Sequence, residues 1–237
     1  NYTRPPLSGN EGLSSFQINN LFDNPSYDGL VLAQDIVYRD GFIYWCGGNN
    51  SIGGLIWRAP VNNLSQATSY LQDTDWNSSS SVNGIVSMAF DSSGILYYAN
   101  GQAETRMKRY DPNTKITTTV IDEGPNNPIH DQVQNLTSMT FDSNDFLYTT
   151  SNYFTGVYKI SKDFNTQTII VGQPTTDTTT SGSSPTNYMI NNPTCIKFDK
   201  NGKLYILHTL EGNNSKTRML VVSSDFTTVE KVISPLD

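Results

Sequence analysis

The sequence predicts an all-β protein, a β-propeller built of four-stranded antiparallel blades. Two observations predict it: one short phrase recurs four times, and each copy is followed by the same kind of strand-like runs. The phrases are DIVYRDGFIYWCG, SMAFDSSGILYYAN, SMTFDSNDFLYTTS and CIKFDKNGKLYILH. Their pre-turn aromatics are Tyr38, Phe90, Phe141 and Phe198, spaced 90−38=52, 141−90=51 and 198−141=57. A period of that length with four strands per unit is the mark of a propeller. A β-sandwich has no reason to repeat one hairpin at fixed spacing.

The phrase itself is a hairpin. Residues before the turn alternate in the period of two that a strand imposes, as in Ile85, Ser87 and Ala89 against Val86, Met88 and Phe90. Asp-Ser-Ser-Gly, Asp-Ser-Asn-Asp and Asp-Lys-Asn-Gly then supply side chains that close a turn on their own backbone or tolerate left-handed geometry. Asp145 stands where two other copies have glycine. Two further runs follow each hairpin, for example TRMKRYDPNTK and ITTTVID, joined by turn formers such as Asp111-Pro112-Asn113. No stretch carries helical periodicity. The blades are expected at about 34–75, 84–123, 135–172 and 192–234, after an N-terminal segment 1–33 with one extra strand at 14–22, SSFQINNLF. Four blades and a spare strand leave two solutions: a closed ring with the strand on an edge, or an open ring completed by another chain. An exposed edge invites pairing, so the second implies assembly.

INNPTCIKFDKNGKLYIL (190–207) resembles an NHL repeat, with an Asn-x-Pro start, a strand ending in Asp, a glycine turn and a Leu-Tyr strand. NLTSMTFD and GIVSMAFD resemble it more loosely. The phrase is also similar to that of the gluconolactonase-like and strictosidine-synthase-like propellers. The resemblance covers four repeats and implies the fold; propellers host many functions. The gluconolactonase-like resemblance implies calcium or another divalent metal at the axis, held by Glu, Asn and Asp. Asn135 and Asn192 each lie seven residues before the turn aspartate, and Glu11 is the only early glutamate. Such a cation wants several oxygen ligands, charged ones included, and no matching Asp completes the set. The competing reading is that these Asn residues begin strands and turns. Asp91, Asp142 and Asp199 recur with the repeat and read as turn-closing residues.

Other chemistry is thinly supported. His130 and His208 are the only histidines, and no G-x-S-x-G elbow accompanies them, so no catalytic residue is assigned. GGNNSIGG (47–54) has no lysine and no following helix, so it is not a phosphate loop. A net charge of −7 with scattered Lys and Arg gives no footprint for nucleic acid. No apolar run approaches the roughly 20 residues of a membrane span. The chain opens with Asn1 and not Met, as after removal of a leader or within a longer chain. Cys46 and Cys195 either pair in an oxidising compartment or are free thiols.

Charged residues make up only 16%, and Asn, Ser and Thr supply most of the polar surface. Six N-x-S/T sequons occur, at Asn1, Asn49, Asn63, Asn77, Asn135 and Asn213. In an up-and-down blade, connectors between blades and between second and third strands share one face. Asn49, Asn77, Asn135 and Asn213 belong to such connectors, and Asn63 to the opposite face. QPTTDTTTSGSSPTN (173–187) lies on the same face as the four and has the composition of a flexible or O-glycosylated segment. The expected function is a non-enzymatic, extracellular or cell-surface, glycosylated propeller that binds a protein partner or assembles with itself by strand pairing. The alternative is a divalent-metal-dependent lactonase or esterase.

Overall fold

The structure, a computed structural model, describes residues 34–49, 53–74, 84–100, 105–122, 129, 134–151, 155–172, 184–188, 190–210 and 213–234. They form four antiparallel sheets of four strands each, arranged as a four-blade propeller. Blade 1 is β1 (Asp35–Arg39), β2 (Phe42–Asn49), β3 (Gly53–Pro60) and β4 (Thr68–Asp73). Blade 2 is β5 (Ser87–Phe90), β6 (Leu96–Ala99), β7 (Met107–Asp111) and β8 (Ile116–Ile121). Blade 3 is β9 (Leu136–Phe141), β10 (Leu147–Ser151), β11 (Gly156–Ile160) and β12 (Gln167–Val171). Blade 4 is β13 (Asn191–Phe198), β14 (Leu204–Leu210), β15 (Asn213–Val222) and β16 (Val229–Ile233). In every sheet the strands follow chain order. No α-helix occurs among the described residues; two single 3-10 turns, at Leu64–Gln66 and Pro185–Asn187, are the nearest thing to one. The spare segment 14–22 lies outside the described residues.

The repeated hairpin joins the first two strands of each blade, and its aspartate does the closing. Asp142 Oδ1 accepts from the backbone N–H groups of Asn144 and Phe146, both at 2.9 Å. Asp199 Oδ1 does the same for Asn201 at 2.8 Å and Lys203 at 2.9 Å. Asp91 Oδ1 takes the N–H of Ile95 at 2.9 Å and the hydroxyl of Ser93 at 2.7 Å. The chain can then reverse only through a residue with positive φ: Gly94 (91°), Asp145 (60°) and Gly202 (80°). Asp145 accepts the left-handed cost, of order 1–2 kcal/mol, for a reason seen across the blades. Its carboxylate receives Ser92 N at 2.8 Å and Ser92 Oγ at 2.6 Å from the turn of blade 2. At the equivalent place between blades 1 and 2, Arg39 donates to the carbonyls of Asp91 (2.6 Å) and Ser92 (3.2 Å).

Blade-to-blade packing repeats one contact. The Tyr that follows each turn meets the pre-turn aromatic of the next blade edge to face. Tyr44–Phe90, Tyr97–Phe141 and Tyr148–Phe198 all have ring centroids 4.9 Å apart. Such pairs add roughly 0.5–1.5 kcal/mol each beyond their burial. Three buried clusters result, at junctions 1–2, 2–3 and 3–4. Inner strands that carry a blade on each side lose their alternation: β6 and β10 are buried at every position. Junction 1–2 also holds a buried ion pair, Lys108 Nζ to Asp73 Oδ2 at 2.8 Å, with the hydroxyl of Tyr98 donating to the same oxygen at 2.7 Å.

The fourth junction is different. Tyr38 and Tyr205 hold the two places of the repeated aromatic contact, yet Tyr38 is 66% exposed, and Ile36, on the same face of β1, is 62% exposed. Among the described residues no buried cluster joins blade 4 to blade 1.

Candidate functional site

The axis of the propeller is organised by the position three residues before the pre-turn aromatic: Asp35, Ser87, Ser138 and Cys195. An innermost strand has one edge without a strand partner, so its backbone N–H groups there need another acceptor. Each blade supplies that acceptor to the next. Asp35 Oδ2 accepts from Met88 N at 3.0 Å, Ser87 Oγ from Met139 N at 3.0 Å, and Ser138 Oγ from Ile196 N at 3.1 Å. Ser87 Oγ in turn donates to Asp35 Oδ2 at 2.7 Å. The relay therefore runs from blade 1 to blade 4 in three like steps. A fourth step would carry Ile36 N to the side chain of Cys195. Ile36 N instead donates to Oδ1 of its own neighbour Asp35 at 2.8 Å. Among the described residues the axial end of this junction is bridged at longer range, by Lys197 Nζ 3.6 Å from Asp35 Oδ1.

Both cysteines belong to this neighbourhood. Cys46 sits opposite Asp35 in the β1–β2 register and is fully buried. Burial pushes its thiol well above the ordinary range, and the Asp35 carboxylate adds to the shift. Burial also raises the Cys195 thiol, with Lys197 and a hydrogen bond from Ser138 opposing. Both are free thiols, so the disulfide left open by the sequence is not formed in this structure. A neutral thiol is a poor nucleophile, and Cys46 is enclosed as well, while Cys195 is half-buried.

Gly84, Asn135 and Asn192, the residues seven before the turn aspartates, share a backbone conformation, with φ of 72°, 52° and 42°. Asparagine is the side-chain-bearing residue that best tolerates this region, and glycine takes it freely. The recurrence of Asn at 135 and 192 thus has a backbone cause. Glu11 lies outside the described residues. Among the described residues no three His, Cys, Asp or Glu side chains gather as a metal would need. His208 is packed in blade 4, with Nδ1 2.8 Å from the carbonyl of Thr209 and its ring edge-on to Tyr188. His130 lies outside the described residues.

Among the described residues, two open surfaces on the face that carries the hairpin turns reach across blades. A groove of about 710 Å³ runs over the turns of blades 2, 3 and 4 and includes Asp91, Asp142, Asp199, Lys159 and Lys200. Its carboxylates are engaged in the turns just described. A hollow of about 350 Å³ lies beside it, lined by Ile36–Arg39 with Phe90, Phe141 and Lys197, and so draws on all four inner strands. This hollow leads to the bare face of β1.

Of the sequons, Asn63 lies in the exposed β3–β4 connection, its Oδ1 accepting from Ser65 at 2.6 Å. Asn135 is half-buried ahead of β9, and Asn49 and Asn213 end β2 and begin β15. Asn1 and Asn77 lie outside the described residues.

Solved structures share its architecture at low sequence identity. One is the nidogen/laminin complex, 15% identical, TM-score 0.55, matched over 82% of this chain and 61% of that one. A second is a structural genomics protein of unknown function from Bacteroides thetaiotaomicron, 16% identical, TM-score 0.60, over 84% of this chain and 46% of that one. The shared architecture is the β-propeller fold. An auxiliary nutrient binding protein from the same bacterium is 14% identical, TM-score 0.55, over 87% of this chain and 47% of that one. The chain spans between about half and three-fifths of the length of these propellers. No protein-family profile matches the sequence, and no curated protein does.

The axial relay was not legible as a motif, because Asp, Ser, Ser and Cys share no identity. Their common property is a short side chain that accepts a hydrogen bond. That property at one fixed offset from the aromatic was the available signal.

Proposed function

We propose that this propeller is a non-enzymatic interaction module, extracellular or on the cell surface, glycosylated, and able to assemble with copies of itself. The observation that carries the reading is the bare face of β1, where Ile36 and Tyr38 stand exposed while their equivalents in the other blades lie against a neighbouring blade. Exposed aromatic and branched side chains on a rigid sheet are what a protein partner recognises. The polar residues near the axis support the same reading, since their hydrogen-bonding capacity is taken up between blades. Tyrosine at an exposed anchor suits binding, because its ring buries a large area while its hydroxyl stays wet.

The test is intact mass and sedimentation of the natural protein before and after enzymatic deglycosylation. The expected result is a mass that falls on deglycosylation and a particle larger than one chain both before and after. A mass unmoved by the glycosidase removes the glycan half of the reading. A single-chain particle at all concentrations removes self-assembly.

A further inference from the structure

The bare face of β1 has a specific shape, and the shape narrows what covers it. Ile36 and Tyr38 are two residues apart on one side of a strand, a separation of roughly 7 Å. The strand behind them is fixed: Val37 packs into the cluster between blades 1 and 2, and Arg39 is held by the carbonyls of Asp91 and Ser92. The opening they face is a wedge. Its axial end is bridged by the Lys197–Asp35 ion pair at 3.6 Å. Inserting a whole four-stranded sheet there would break that bridge. An extended segment entering from the rim would not.

The sequence supplies a segment of the required kind outside the sixteen described strands, residues 14–22. In SSFQINNLF, Phe16 and Ile18 have the same two-residue period as Ile36 and Tyr38, with Ser15, Gln17 and Asn19 between and around them. The twelve residues 23–34 that join it to β1 reach about 40 Å when extended, enough to carry it away from its own blade 1. We propose that the wedge between blades 4 and 1 is the receptor for residues 14–22 of a second copy, with Phe16 and Ile18 lying on Ile36 and Tyr38. The proposal rests on the self-assembly reading, which supplies the second copy. It adds the acceptor surface. The outer strands β8 and β16 are the competing acceptors, and they expose smaller apolar steps, with Ile116 and Ile233 each standing singly.

The experiment uses three full-length chains in sedimentation velocity: the wild type, Tyr38→Lys, and the double substitution Phe16→Lys with Ile18→Lys. The first variant keeps the inserting segment and loses the receptor; the second keeps the receptor and loses the segment. Wild type should associate, and each variant alone should be weakened more than about tenfold, as expected for a central tyrosine or its apolar partner. Mixing the two variants should restore a one-to-one complex, because one carries an intact segment and the other an intact receptor. That complementation also shows that both variants fold. If the wild type associates and Tyr38→Lys associates equally well, the acceptor is wrong while self-assembly stands. If the two variants are monomers but fail to complement, the pairing of this segment with this face is wrong. If the wild type is a monomer, the proposal and the self-assembly reading fall together; that is also the outcome if the chain's own segment covers the face.

Discussion

Junction 3–4 and junction 4–1 are written with nearly the same residues and built differently. At the first, Tyr148 is fully buried between Phe198 and Phe226 and donates its hydroxyl to Asp142. At the second, Tyr205 and Tyr38 occupy the equivalent positions and make no ring contact with each other. The axial step differs in the same way: Ser138 takes the N–H of Ile196, while Ile36 turns to Asp35 beside it. A repeat therefore specifies a complementary pair of faces, and whether they meet is decided by the arc the blades describe. The faces themselves remain capable of binding.

The largest expected effect tests the buried side of this comparison. Tyr148→Ala should cost about 3–5 kcal/mol, the range for removing a buried aromatic, whereas Tyr38→Ala should stay within about 0.5 kcal/mol under monomeric conditions. Urea unfolding of both variants measures the gap, and equal losses would mean that the fourth junction is closed. Lys108→Met should cost about 3–5 kcal/mol, because it takes the buried ammonium away from the buried Asp73 carboxylate; the double change that also makes residue 73 apolar should recover most of it. Ser138→Ala should cost about 1–3 kcal/mol by stranding the buried N–H of Ile196. Cys195→Ala, at the relay's unused end, should cost less. Equal values for these two would show that Cys195 serves a backbone N–H of blade 1 as Ser138 serves Ile196.

The smallest effect is a pH dependence. The hydroxyl and N–H of Ser92 hold the Asp145 carboxyl below its ordinary value. The folded value is the lower one, so the unfolded chain binds more protons in the interval between the two. The clamp between blades 2 and 3 is thus fully present above about pH 4, the unfolded carboxyl value, and is lost as pH falls below it. Asp145→Asn should flatten the acid limb of a stability–pH profile and lower its neutral plateau by the same small amount. An unchanged acid limb would remove Asp145 from the clamp's titration.

Much of this architecture was visible in the amino-acid order. Phe-Asp before a turn and Leu-Tyr after it announce a hairpin because turn closure and strand alternation are local. The aspartates' role followed from their neighbours. Asn135 and Asn192 read two ways, since an asparagine can begin a strand or ligate a cation; their left-handed backbone is a reason for the residue type that involves no cation. The exposure of Tyr38 was out of reach, because nothing beside it in the chain differs in kind from what surrounds Phe90. Its environment is set by a blade more than 150 residues away in sequence. The ion pair of Lys108 and Asp73 escaped for a similar reason, each residue being unremarkable on its own strand.

The relay at the axis has a direction, and direction gives the molecule an order in time. Each acceptor belongs to the earlier blade and each donor to the later one, so a finished blade offers a prepared surface to the next as it leaves the ribosome. The chain is suited to vectorial folding, blade upon blade from the N-terminal end, as repeat architectures with nearest-neighbour contacts allow. Pulse-labelled hydrogen exchange on nascent chains of increasing length should show protection arriving in steps, with Met88 first, Met139 next and Ile196 last. Protection that arrives at all three together would mean that the propeller waits for its last strand before any blade is secure.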